Sequence, residues 1–179
     1  MYAEILNNRR NIFYQIVFII GFISMTFGIL IYRKTIIPVS FLILIVVYVG
    51  AIIAIFDFKK FKNTYKVTWL KLYFFVLMQH MVSWGFIACT LFLYSNYYLS
   101  EGKIIEEKHV IIERSSLPGS KGRRSERKPL FRIKYEGEIK ELVFSHQFYQ
   151  ELENYKYVNI SIQKGFFNWD IIVDKRLEK

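Results

Sequence analysis

The chain has 179 residues, is 53% hydrophobic and carries a formal charge of +10. The charge is uneven: residues 1–100 hold 9 Lys/Arg against 2 acids, Glu4 and Asp57, a net of 9 − 2 = +7, and the rest holds 25 − 9 = 16 against 15 − 2 = 13, a net of +3. A basic excess lying between apolar runs sets membrane topology and does not argue for a specific nucleic-acid partner, and one cysteine, Cys89, allows no disulfide framework within a chain.

Three apolar runs open the sequence: about Ile12–Tyr32, Ile36–Phe56 and Leu72–Leu99, none with a Lys, Arg, Asp or Glu inside it. A bilayer core of ~30 Å needs about 20 helical residues, so each run predicts a transmembrane helix. The first is longer than a signal-peptide core and runs almost directly into the second, which argues for a span. Arg9 and Arg10 read as flanking charges of that span. Arg33, Lys34 and Thr35 join spans one and two in a tight hairpin, with Pro38 expected in the first turn of span two.

Between Asp57 and Lys71, Phe58, Phe61, Tyr65 and Trp69 recur at helical spacing, and Lys59, Lys62 and Lys66 recur on another face. The pattern fits either a surface helix with Lys59, Lys60, Lys62 and Lys66 toward lipid head groups, or a basic loop that only sets topology. Seven basic residues (Arg9, Arg10, Lys59, Lys60, Lys62, Lys66, Lys71) flank one side of the spans, and five (Arg33, Lys34, Lys103, Lys108, Arg114) flank the other. The expected orientation therefore has the N-terminus inside and the C-terminal domain outside, in a bacterial cytoplasmic membrane.

Small residues predict where the helices touch. Gly21, Ser24 and Gly28 share a face of span one, while Gly50 with Ala54 and Gly85 with Cys89 have four-residue spacing in spans two and three. Span three holds His80 well inside its apolar run, with Gln79 beside it and Ser83 and Thr90 on nearly the same face. Such groups mark a polar route or hydrogen-bond a neighbouring helix. A proton route wants a carboxylate partner, and no acid lies inside a predicted span, so the second use is favoured.

After Ser100 the pattern changes to period two. Strands are expected over Lys103–Glu113 (one or two), Leu130–Tyr135, Glu138–Phe144, Tyr157–Gln163 and Asp170–Asp174, with turns at Glu136-Gly137 and Gly165. Ser145 is expected to cap a short helix reaching about Tyr155. The fold class is thus three transmembrane helices, residues 1–100, followed by a small antiparallel β-sheet or partly open barrel, residues 101–179, with one short helix.

Ser115–Lys128 interrupts this domain with five basic residues, Lys121, Arg123, Arg124, Arg127 and Lys128. They offer either a grip on an anionic ligand or acidic partner, or a soluble charged loop. His80, His109 and His146 lack a Cys or acidic cluster at metal spacing, and no nucleophile-elbow, zinc-protease, CxxC or Walker motif occurs. No cofactor and no catalysis are expected. The favoured function is a non-catalytic membrane partner, either a complex subunit or an immunity-type protein. Alternatives are an effector whose β domain binds an anionic ligand while its spans oligomerise into a pore, and a small channel. The expected contacts are the bilayer and a protein partner or a second copy.

Overall fold

The computed structural model describes residues 2–65, 69–119 and 126–179. The chain divides into two compact units, residues 1–100 and 101–179.

The first unit is an up–down–up bundle of α1 (Tyr2–Tyr32), α2 (Val39–Thr64), and a third rod made of α3 (Trp69–His80), a π-helical turn (Met81–Gly85) and α4 (Phe86–Tyr98). Three helical stretches, Leu6–Tyr32, Val39–Thr64 and Lys71–Tyr98, are long and apolar enough to cross a membrane. The link after α1 holds a two-residue extended segment, β1 (Thr35–Ile36). Pro38 stands at the N-cap of α2, one residue before the helix begins; its carbonyl accepts the Phe41 N–H at 3.1 Å.

The segment after Phe56 is not a separate surface helix. Residues 57–64 continue α2, and Tyr65 ends it in an extended conformation. No Gly or Pro interrupts these residues, so the helix has no reason to stop where hydrophobicity does. Its aromatic face packs on protein: Phe61 is buried with Tyr14, Leu72 and Val76, and Phe58 stacks on Tyr73 at 4.8 Å. Lys59, Lys60 and Lys62 are exposed. Lys66 lies outside the described residues.

Backbones approach closely at the π turn. A Cβ on Gly21 of α1 would collide with the carbonyl oxygen of Val82, and one on Gly50 of α2 would stand 2.7 Å from the Met81 Cα. Real Cβ atoms do not come so near, so glycine is what lets both helices seat against the third rod. A π turn here is consistent with such tight packing, because its wider winding shifts the side chains that follow.

In the second unit, β2 (Ile104–Leu117), β3 (Lys128–Tyr135), β4 (Glu138–Val143), β5 (Tyr157–Lys164) and β6 (Asp170–Glu178) form an antiparallel sheet in the order β6-β5-β2-β3-β4. Ile104 to Val110 pair with β5, whereas Ile111 to Leu117 pair with β3, with a register shift between Ile111 and Glu113. One long strand thus serves two neighbours by bending at a bulge, and the bend curls the sheet. The ends of the order approach: Lys175 Nζ on β6 donates to the Val143 carbonyl on β4 at 2.6 Å. The result is a partly open barrel filled by Phe131, Ile133, Leu142, Val158, Ile160 and Ile171. Glu136 and Gly137 join β3 to β4 with φ of 47° and 90°, the signature of a primed hairpin turn.

The short helix expected after Ser145 is instead two 3-10 turns, His146–Phe148 and Leu152–Asn154. Ser145 makes no side-chain cap; its carbonyl takes the Phe148 N–H at 3.1 Å. Phe148 packs edge-on against Phe144 and Tyr155, with centroids 6.3 and 6.1 Å away. Holding those rings on the barrel leaves each helical piece a single turn.

Candidate functional site

The polar residues of the bundle collect where α1, α2 and α3 meet. Because α2 runs past Phe56, Asp57 is carried into the bundle instead of marking its end. Asp57 Oδ2 accepts the Tyr14 hydroxyl at 2.6 Å and stands 3.3 Å from His80 Nε2. His80 is 1% exposed, against 19% for Asp57. Among the described residues, neither ring nitrogen of His80 has a hydrogen bond of good geometry. The imidazole is held instead by the carboxylate and by the Tyr14 and Phe61 rings, each 6.2 Å away.

The surrounding groups close on one another. Gln79 Nε2 donates to the Tyr14 carbonyl at 2.9 Å, and the Tyr65 hydroxyl donates to Asn11 Oδ1 at 2.7 Å. Ser83 Oγ donates to the Gln79 carbonyl at 2.6 Å, and Thr90 Oγ1 donates to the Ser24 carbonyl at 2.9 Å. Of the four polar residues picked from span three, only Gln79 and His80 reach the centre. Ser83 and Thr90 bond main-chain carbonyls of their own and the neighbouring helix, an ordinary use of hydroxyls in lipid.

Asp57 and Tyr14 are the members that sequence reasoning missed. The apolar run of span two stops at Phe56, one residue short of Asp57, and Tyr14 lies near the start of span one with nothing in the pattern to pair it with an acid. The available signal was that Asp57 is the one acid among the residues between the first and third apolar runs, flanked by helix-forming residues.

No family model, curated protein or solved structure matches the chain. The site is therefore read from its own chemistry.

Of the five basic loop residues, Lys121, Arg123 and Arg124 lie outside the described residues. The Arg127 carbonyl contacts His146 Nδ1 at 2.8 Å, and the Arg127 guanidinium lies 5.9 Å from the Tyr149 ring centre. Lys128 opens β3, paired with Leu117. Those two belong to the base of a hairpin.

The barrel has its own buried charges. Asp170 is 4% exposed, accepts the Tyr135 hydroxyl at 2.8 Å, and is paired with Lys164 at 2.8 Å. Lys140 lies opposite Ile133, and Lys175 opposite Ile160; both partners are fully buried, so both lysines share the barrel's inward face. Burial, and the like charge of Lys175, push the Lys140 ammonium down to about 8; burial also lowers Lys175.

This sets the sign of a pH effect. Below about pH 8 both folded and unfolded chains hold the Lys140 proton, and the cost of burying it is present in full. Between 8 and 10.5 the folded chain releases that proton first, the unfolded chain binds more protons, and stability rises with pH. Tyr135, held above the usual tyrosine value of 10.0 by burial and by Asp170, acts oppositely above that pH. Residues 101–179 expressed alone should fold, with a melting temperature that rises from pH 7 to a maximum near pH 10. Lys140→Met should flatten that rise and stabilise the domain at pH 7 by on the order of 1–3 kcal/mol. A melting temperature independent of pH over this range would show that Lys140 is solvated.

Proposed function

We propose that the chain is a small polytopic membrane protein that works by binding, as a non-catalytic subunit or immunity-type partner. In this reading its N-terminus is inside, in a bacterial cytoplasmic membrane, and its β domain is presented outside, as the basic flanks of the spans favour. One observation carries the proposal: most polar side chains at the centre of the bundle are spent on holding one helix to another. Asn11, Tyr14, Asp57, Tyr65, Gln79 and Thr90 each bond a side chain or the main chain of another helix or of the residue that ends one. Groups used as internal glue leave the outer apolar faces and the β domain for recognition. Large apolar side chains cover those faces, among them Phe22 at 63% exposure and Phe56 at 82%.

Full-length protein, gently solubilised from its native membrane and captured, should bring down a foreign membrane protein in stoichiometric amount by mass spectrometry. A pure homo-oligomer would overturn the partner reading. It would favour a second one, an effector that responds to protons through its spans, for which the Asp57–His80 contact is the specific support.

A further inference from the structure

A cavity of about 430 Å³ opens beside the buried centre, lined by residues of α1 and α2 and by Trp84 of the π turn. Phe13, Tyr14, Ile53, Phe56 and Trp84 line it with apolar and aromatic surface, and Arg10 and Lys60 line it with two cations. Asp57 also borders it, but its Oδ2 is turned to the Tyr14 hydroxyl and the His80 imidazole. Neither Arg10 nor Lys60 makes a side-chain ion pair among the described residues. Two cations on neighbouring helices thus line one cleft, most of whose remaining wall is apolar.

We infer that this cleft is a binding site for a phosphate-bearing amphiphile, a glycerophospholipid of the bilayer. Its phosphate sits between Arg10 and Lys60, and an acyl chain lies along Phe13, Phe56 and Trp84. Three physical points support the assignment. Guanidinium and ammonium together match a phosphate. Basic pockets between transmembrane helices take anionic lipid head groups. The volume falls within the range of small-ligand pockets, and apolar walls with a few convergent charges are the usual composition of such a site. Phe13 and Phe56 are exposed at 51% and 82%, so an acyl chain laid there remains continuous with the surrounding bilayer. The site differs from general attraction of lysines to the surface, because Lys59 and Lys62 are exposed outside it.

The test uses the full chain reconstituted in mixed phosphatidylglycerol and phosphatidylcholine vesicles, then extracted in mild detergent for native mass spectrometry. Wild type should keep one phosphatidylglycerol through detergent washing. Arg10→Ala/Lys60→Ala should lose it at least 10-fold, Arg10→Lys should keep it, and Lys59→Ala/Lys62→Ala should behave as wild type. Equal loss in that last variant would reduce the effect to surface charge and overturn the site, as would a wild type that keeps no lipid. Glycerol phosphate added at the lipid's concentration should not displace it. Displacement would assign the cleft to a soluble phosphate and overturn the lipid. A melting temperature for each variant, compared in lipid-free detergent, separates lost binding from lost folding.

Discussion

Gly21→Val should prevent the three helices from seating, and it is the substitution with the largest expected effect. The first atom of the new side chain would meet main-chain atoms: the Val82 carbonyl oxygen, and the Cα and carbonyl oxygen of Ser83, each of the last two at 2.7 Å. Backbone cannot rotate aside as a side chain can. Lipid tails are as apolar as the helices, so close packing is what favours association, and a separation of even 1–2 Å removes it. Overpacking alone costs about 1–3 kcal/mol, and lost helix contacts add to it. Gly28→Ala makes the comparison, because its new Cβ would meet chiefly the Thr90 hydroxyl, at 2.9 Å. In an SDS titration followed by tryptophan fluorescence, Gly21→Val should unfold at clearly lower SDS than wild type, with Gly28→Ala between them. Wild-type stability in Gly21→Val would mean that α1 does not lie on the π turn.

Asp57→Ala should be the second most damaging change. It removes the acceptor for the Tyr14 hydroxyl, 2.6 Å away, and the carboxylate facing an imidazole that is 1% exposed. Leaving one partner of a buried polar pair unmatched costs about 2–4 kcal/mol, more than the intact pair contributes. Asp57→Asn keeps an acceptor for Tyr14 and should cost about half as much. His80→Phe should return part of the loss when combined with Asp57→Ala, since no polar ring is then left without a partner. The same titration, run as a double-mutant cycle, reads that recovery. Simple additivity of the two changes would show that the residues do not interact.

Fold class was legible because it rests on local periodicity. Long uncharged runs announce spans, and the alternation at Phe131, Ile133 and Tyr135 announces a strand with one buried face. Small residues at four-residue spacing marked the helix contacts: Ala54 and Cys89 are buried, and Ser24 lends its carbonyl to Thr90. The candidate site was legible only by half. His80 and Gln79 stand out as polar residues within an apolar run, whereas Asp57 falls just past the run that ends at Phe56. A helix does not end where its apolar run ends; it ends where its hydrogen bonding is broken, here at Tyr65.

By itself, then, the sequence determined that three helices are long and apolar enough to cross a membrane and that a small antiparallel β unit follows. Both follow from short-range patterns of burial that each segment carries alone. Tertiary structure decided which polar residues meet. Tyr14 and Asp57 are 43 positions apart, and Gln79 reaches a carbonyl 65 positions away. Such pairs depend on helix rotation and depth, set by glycine contacts at Val82 and Met81. It also decided that Lys140 and Lys175 share the barrel's inward face, because the bulge in β2 brings β4 and β6 together. Periodicity places a residue on a face; only packing chooses what that face meets.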